Sequence, residues 1–223
     1  MTILRPILFF LIFCSLNSCS SLPNSNRIAP GYAEAFKSIQ KAIFGYESET
    51  ISSSLINSIP YASLILKIGK GPEGLLILES KRGDNEIWVS ADQVYLTINN
   101  GKIVSTQGLI NNLTNIILPY KPSDLNSVEE NTVYKSYYSY NPPSLNNLEV
   151  EVILKRKGKV KVVILDESKD LLLIEEFINN DYLGWSAKNS YWIDEEGFVW
   201  RSEQNISPKL PTIYFEVTKK PSI

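Results

Sequence analysis

The chain has 223 residues, of which 43% are hydrophobic and 21% charged, a composition typical of an ordinary globular domain. Its formal net charge of -2 provides no bulk positive field, which argues against a protein that binds nucleic acid. The sequence contains no histidine, and this excludes histidine-based catalysis and the usual nitrogen ligands of zinc.

The first residues have the organisation of a lipoprotein signal peptide. Arg5 precedes the apolar run 7–14, which at about 1.5 Å per residue is too short to cross a hydrocarbon core of ~30 Å. The next four residues, 16–19 (LNSC), resemble a bacterial lipobox, so we expect a covalent lipid on Cys19. Ser20 follows in place of an aspartate, which resembles the sorting rule for the outer membrane of Gram-negative bacteria.

These features divide the chain into three parts. Residues 1–18 are the expected lipoprotein signal peptide, and residues 19–27 are the lipidated cysteine with a flexible tether. Residues 28–223 are expected to form a single, mostly β domain. Since both cysteines lie before residue 20, this domain needs neither a disulfide nor a thiol nucleophile, and we expect no cofactor and no metal.

The first predicted element of the domain is a helix. Tyr32, Phe36, Ile39 and Ile43 recur at helical spacing, and Gly45 supplies a stop. This pattern predicts one amphipathic helix of about three turns that packs on a sheet.

From Tyr61 onward the pattern changes to short β-rich runs separated by turn residues. Asn100-Gly101 is typical of a two-residue hairpin turn, and Gly158 is predicted to be another turn. Leu109, Leu113 and Ile116 suit a short helical turn. The predicted strands cover residues 62–69, 75–80, 86–91, 94–98, 102–106, 133–140, 148–155, 159–165, 171–177, 191–193, 198–202 and 212–218.

Strands at regular spacing with few helices predict a mainly β fold. We expect an antiparallel β-sandwich or a partly open barrel, with the N-terminal amphipathic helix and short helical turns added to it. The polar, proline-bearing segment 119–131 is expected to be a surface connection.

The last quarter of the chain contains a cluster of aromatic and polar residues, and two interpretations of it remain open. Flat aromatic rings beside amide and guanidinium donors suit a glycan-binding groove or a partner surface. Strand alternation instead places Tyr191 and Ile193 on one face and Trp192 on the other, which favours core packing for most of the rings. The candidate ligand or partner surface consists of Trp185, Trp192, Arg201 and Gln204, and Trp192 is the ring that we expect outside.

Other polar or aromatic groups offer weaker candidates. Strand alternation places Tyr134, Tyr138 and Tyr140 on the opposite face from Tyr137, with an amphipathic core edge favoured over a partner surface. The adjacent carboxylates Glu175 and Glu176 point to opposite faces of a strand, so they cannot jointly flank a glycosidic bond. The acidic residues in 194–196 are expected in a solvated turn, and residues 166–170 lack the glycine and the ligand spacing of a calcium loop.

Four groups of short strings occur in order along the chain: residues 59–63 (IPYAS), 68–72 (IGKGP), 101–109 (GKIVSTQGL) with Asn112 and Leu113, and 189–194 (NSYWID) followed by 197–204 (GFVWRSEQ) and Pro208. Taken together, they resemble the YjbF/GfcB family of lipoproteins from group 4 capsule and exopolysaccharide gene clusters. Lys102 departs from the arginine expected in this family, keeping the charge but losing the planar bidentate fork.

The resemblance implies a mostly β lipoprotein, anchored in the outer membrane and facing the periplasm, without catalytic residues. Its leading implied role is that of a non-enzymatic accessory factor in capsule or exopolysaccharide assembly or export. The alternatives are a carbohydrate-binding module that recognises the polymer and a carboxylate-dependent glycan hydrolase. The expected partners are the outer membrane, polysaccharide-export proteins or the polysaccharide, and no nucleic acid.

Overall fold

The computed structural model describes residues 51–118, 125, 128 and 131–221, and strands make up most of this part of the chain. The short helix α1 (Ser53–Ser58) begins at the cap residue Ser52, whose hydroxyl accepts a hydrogen bond from the Leu55 amide. The strands are β1 (Ser63–Ile68), β2 (Glu73–Arg82), β3 (Asn85–Ser90), β4 (Tyr95–Asn99), β5 (Lys102–Gln107), β6 (Asn112–Ile117), β7 (Thr132–Asn141), β8 (Leu145–Ile164), β9 (Glu167–Asn180), β10 (Trp185–Ile193), β11 (Val199–Gln204) and β12 (Ile213–Lys219).

All twelve of these strands belong to one antiparallel sheet. Strands that are neighbours in sequence pair with each other, except β5 and β6, and β1 also pairs with β12. The two edge strands, β5 and β6, follow each other directly in the chain. Their ends are linked through Thr106, whose hydroxyl accepts a hydrogen bond from the Leu113 amide at 3.0 Å. The result is a nearly closed, barrel-like sheet, which confirms the mainly β prediction and selects the barrel over the sandwich.

The interior is filled by the apolar residues that alternate along the strands. The predicted hairpin of β4 and β5 is confirmed, because Leu96 and Ile98 are buried and the turn residues Asn100 and Gly101 have positive φ. An alanine Cβ at Gly101 would lie 2.2 Å from Cγ2 of Val199 on β11. This close approach shows that opposite walls of the barrel pack directly against each other here.

Two predictions for the chain path are wrong, and both errors arise at bulges. The segment around Leu113 and Ile116 is strand β6, where a register shift between Leu113 and Asn115 brings two residues three apart onto the inner face. Gly158 is not a turn, since β8 continues through it with a register shift and a φ of 141°. The two strands predicted at 148–155 and 159–165 are therefore one strand of 20 residues.

The long hairpin of β8 and β9 extends beyond the barrel. In the described part of the chain, β7 pairs with β8 only as far as Leu154, and β10 pairs with β9 only from Leu172 onward. Residues 155–171 therefore form a two-stranded projection, which we call the hairpin arm. Val162, Ile164 and Leu171 on one face of the arm make a second, smaller apolar cluster.

Some predictions fall outside the described residues. The signal peptide, Cys19, the tether and the amphipathic helix predicted over residues 32–43 all lie there, as does nearly all of the connection 119–131. Among the residues that are described, no helix is both long enough and apolar enough to span a membrane.

Candidate functional site

The hairpin of β10 and β11 carries the candidate residues, and its two faces have different environments. Tyr191 and Ile193 point into the barrel and are buried, as the alternation predicts, while Trp192 points outward and is half-buried. Trp192 lies directly opposite Arg201 in the ladder of the two strands. The candidate region must therefore be considered as an outer face and an inner face.

On the outer face, Trp192 and Trp200 pack against the apolar cluster of the hairpin arm. The ammonium group of Lys169, on the arm, lies 4.4 Å from the centroid of the Trp200 ring. Trp200 Nε1 also donates a hydrogen bond to Asp194 Oδ2 at 2.9 Å, and its ring meets that of Phe198 edge-on. The arm thus packs against Trp192 and Trp200, two of the rings that the sequence analysis considered for a ligand surface.

Arg201 fastens the arm to the sheet. Its Nε donates to Glu216 Oε2 at 2.9 Å, and its Nη2 donates to the backbone carbonyl of Val163 in the arm at 2.7 Å. The Tyr214 hydroxyl donates to the same carboxylate oxygen at 2.6 Å. Burial and this hydrogen bond to Glu216 raise the pKa of Tyr214, which therefore stays protonated and remains a donor.

On the inner face, Gln204 joins opposite walls of the barrel. Its side-chain oxygen accepts a hydrogen bond from the Ile103 amide at 3.0 Å, and its Nε2 donates to the Gly101 carbonyl at 2.8 Å. The side-chain amide thereby pairs with the backbone of edge strand β5 as a neighbouring strand would. Gln204 is 1% exposed and acts as an internal tie.

Beside this tie lies a buried ion pair between Lys102 on β5 and Glu176 on β9. The Lys102 ammonium contacts Glu176 Oε1, and the carboxylate also accepts hydrogen bonds from Asn189, Tyr191 and Tyr134 at 2.7, 2.8 and 3.3 Å. We call these five residues, together with Gln204, the buried ion-pair cluster. The family-departing residue Lys102 therefore does contact a carboxylate, across 74 positions of sequence.

Electrostatics keep this pair ionised. Burial raises the pKa of Glu176, but Lys102 and the hydrogen-bond donors outweigh it, so that the pKa lies below its ordinary value. Burial likewise lowers the pKa of Lys102, and the Glu176 carboxylate more than reverses this. Burial raises the pKa of Tyr138, whose ring the Lys102 ammonium faces at 5.9 Å, to about 12. A buried charge of this kind depends on its partners, because removing one of them leaves the other charge uncompensated in the interior.

The structure does not bring the four candidate residues into one surface. Trp185 and Gln204 were expected on a ligand or partner surface, but both are buried on the inner face because their strand positions point into the barrel. Trp192 and Arg201 do lie together on the outer face, where both contact the hairpin arm. A role of these residues in binding a ligand or partner stays a prediction.

The acidic residues considered for catalysis or metal binding lie apart from one another. Glu175 lies on the outer face of β9 between Lys188 and Lys157, so it shares no site with buried Glu176. Asp166 and Asp170 are exposed near the tip of the arm. Among the described residues, no group of three or more cysteine, aspartate or glutamate side chains is positioned to hold a metal ion.

The sequence contains a signal for the buried ion-pair cluster that the alternation of Glu175 and Glu176 alone does not reveal. Glu176 shares its strand face with Leu172, Ile174 and Ile178, all of them buried. A carboxylate in a row of inward apolar residues indicates a buried partner of opposite charge.

Comparisons with known proteins give one consistent result. Residues 36–217 match the family model described as "Group 4 capsule polysaccharide lipoprotein gfcB, YjbF". The lipoprotein YjbF of Escherichia coli K12 is 26% identical over 206 residues, covering 90% of each chain, and the lipoprotein GfcB of the same strain is 22% identical over 113 residues, covering 51% of this chain and 49% of GfcB. The crystal structure of the E. coli K12 lipoprotein YmcC superposes with a TM-score of 0.68 at 16% identity, covering 78% of this chain and 91% of that one, so the two share the fold.

Proposed function

The chain belongs to the YjbF family of group 4 capsule polysaccharide lipoproteins, and from this we propose that it is a non-enzymatic accessory factor in the assembly or export of a surface polysaccharide. The observation that carries the proposal is the family match, which covers nearly the whole domain and follows a lipobox in the sequence. We further propose that a lipid on Cys19 anchors the protein in the outer membrane, with the domain in the periplasm.

The non-enzymatic part of the proposal is supported by the places of the acidic groups. A retaining or inverting glycosidase needs two carboxyl groups about 5 to 9.5 Å apart that both face the substrate. Glu176 is enclosed by the buried ion-pair cluster, while Glu175 points outward to Lys157 and Lys188. This pair of neighbouring carboxylates therefore cannot flank one glycosidic bond.

The anchor is expected to depend on lipid, because each CH₂ of a buried acyl chain contributes ~0.8 kcal/mol and two or more chains bind a membrane stably. No protein surface is then required for attachment. The domain would act on the polymer or on an export component within the reach of its tether.

Deletion and complementation in the native bacterium test the proposed role. Loss of the gene should lower the amount of surface polysaccharide on washed cells, and the wild-type gene should restore it. Cys19→Ala should release the protein from membrane fractions and fail to restore the polysaccharide. Cys14→Ala is the matched control, since it alters the other cysteine and should leave the anchor intact.

Three results would contradict parts of the proposal. Normal surface polysaccharide in the deletion strain would remove the export role. Shortening of the purified polymer on incubation with the purified lipoprotein would instead support the glycan hydrolase. A Cys19→Ala protein that stayed with the outer membrane after a high-salt wash would place the anchor elsewhere.

A further inference from the structure

An exposed aromatic ring stands at the tight turn between β9 and β10. The Gly184 amide donates to the Asp181 carbonyl at 3.2 Å, so Tyr182 and Leu183 occupy the centre of the turn. Small polar residues, glycine or proline are the usual choices at such positions. Tyr182 is nevertheless 84% exposed, more than any other large hydrophobic residue of the described chain. Two apolar side chains at the centre of an exposed turn indicate a contact surface.

The turn that carries Tyr182 is held in place by side-chain hydrogen bonds. The Asn180 side chain accepts a bond from the Leu183 amide at 2.7 Å and donates to the Glu149 carbonyl on β8 at 2.5 Å. Asn179 donates to Asp181 Oδ1 at 2.6 Å and accepts from Ser186 at the same distance. The ring is therefore presented by a fixed backbone, which reduces the ordering cost of binding.

Beside the ring lies an open cleft of about 570 Å³ on the outer face of the sheet. We call it the Tyr182 cleft, and its polar lining includes one lysine, three acidic residues and several asparagines, among them Lys135, Asn147, Glu149, Glu151, Asn179 and Asp181. The cleft continues into a shallower depression of about 360 Å³, with which it shares Glu151 and Asn179, and this reaches Phe177 and Ser186. With strands ~4.8 Å apart, the path from β7 to β10 is roughly 14 Å wide, room for about two or three sugar rings.

The lining of the cleft suits a ligand rich in hydroxyl groups. The Lys135 ammonium lies 2.6 Å from Glu149 Oε1 and holds the pKa of that carboxyl below its ordinary value, so the pair offers a donor and an acceptor at neutral pH. Asparagine side chains add amide donors and acceptors. The core of a protein–protein interface is depleted of charged groups, whereas charged side chains and one aromatic ring together line this cleft.

We propose that the Tyr182 cleft binds a short segment of the surface polysaccharide, with the Tyr182 ring against the C–H face of one sugar and the polar lining bonded to hydroxyl groups of its neighbours. This inference rests on the proposed function for the identity of the polymer, and it names the site through which the protein contacts it.

The test measures binding of the purified full-length lipoprotein, in detergent micelles, to immobilised polysaccharide purified from the surface of the same bacterium. Tyr182→Ala should weaken binding by about tenfold or more, while Tyr182→Phe, which keeps the ring, should stay within about threefold of wild type. Tyr61→Ala is the matched control, since Tyr61 is 61% exposed and lies at the opposite end of the barrel, before β1. Thermal unfolding should be the same for all three variants because neither ring is buried.

The outcomes separate this inference from the proposed function. Equal binding by wild type and Tyr182→Ala would overturn the site while leaving the accessory role intact. Absence of binding by wild type would overturn the inference too, and a Tyr182→Ala export defect in that case would assign the surface to a protein partner. If purified protein binds the polysaccharide through Tyr182 but the deletion strain exports polysaccharide normally, the site would be supported and the proposed function would be wrong.

Discussion

The buried ion pair between Lys102 and Glu176 supports a prediction whose size can be worked from the structure. Lys102→Met keeps a side chain of similar length but leaves the carboxylate, which is 1% exposed, without its cation. Removing one partner of a buried pair costs ~3 to 5 kcal/mol. Hydrogen bonds from Asn189, Tyr191 and Tyr134 remain, so we expect the lower end of that range, about 3 kcal/mol. For a domain of this size this lowers the melting temperature by roughly 6 to 12 °C.

Matched variants identify the cause of that loss. In Lys102→Met with Glu176→Gln, the site is neutral and the amide can still accept bonds from Asn189 and Tyr191, so the double variant should be more stable than Lys102→Met alone by about 1 to 2 kcal/mol. Lys102→Arg retains the charge and should cost less than Lys102→Met.

The pH dependence of stability gives a second measurement of the same pair. The folded-state pKa of Glu176 is lowered, so its contribution is present above the ordinary carboxyl value of 4.5 and is lost as the pH falls through the folded value. The pKa of Lys102 is raised, so its contribution is present below 10.5 and is lost as the pH rises through the folded value. In Lys102→Met the uncompensated carboxyl has a raised pKa, and the penalty should shrink between about pH 8 and about pH 5.

Circular dichroism of the purified lipoprotein, followed during heating at several pH values, measures all of these effects. A melting temperature of Lys102→Met within about 2 °C of wild type would refute the reasoning, as would a double variant no more stable than the single one. Either result would mean that solvent or rearranged side chains reach the carboxylate and compensate its charge.

Three further substitutions test other parts of the fold. Gly101→Ala should destabilise the domain by ~2 to 4 kcal/mol in urea unfolding, because the residue has a φ of 80° and its Cβ would overlap Val199 on β11. Adding Val199→Ala should recover part of this loss in the same assay. Gln204→Leu removes the side-chain partner of the Ile103 amide and of the Gly101 carbonyl and should cost ~2 to 3 kcal/mol in the same assay. Trp192→Ala should loosen the hairpin arm, residues 155–171, so that proteolysis becomes faster within the arm only. The free energy of unfolding should fall by only ~1 to 2 kcal/mol, and an unchanged cleavage pattern would show that the arm is held without the ring.

Alternation of apolar and polar residues is what made much of the fold predictable. It placed Tyr138 and Tyr140 inside, Tyr137 outside, and Tyr191 opposite Trp192, as the structure shows. The Asn100-Gly101 turn could also be predicted, because only a few residue pairs tolerate two successive positive φ angles. These are local properties, and each is set by a handful of neighbouring residues.

The features that could not be predicted depend on bulges or on contacts between distant segments. A single inserted residue near Leu113 mimicked a helical period, and the shift at Gly158 looked like a turn. The covering of Trp192 by the hairpin arm and the meeting of Lys102 with Glu176 depend on how the whole sheet curves and closes. Nothing in the local sequence specifies that curvature, so the same ring could be assigned to a partner surface.

Closure of the sheet also determines where a polymer can meet this protein. The walls touch at Gly101 and Val199, and Gln204 bonds one wall to the other, so the interior offers no passage there for a polysaccharide chain. If the protein contacts a polymer, we expect the contact on the outer face, where the hairpin arm already packs against Trp192 and Trp200. The Tyr182 cleft lies on the outer face away from the arm and combines an exposed aromatic ring on a fixed turn with an open polar lining. If the protein guides a polymer, a variant at Tyr182 should therefore weaken polymer binding more than a variant at Trp192, although Trp192 belongs to the more conspicuous aromatic cluster in the sequence.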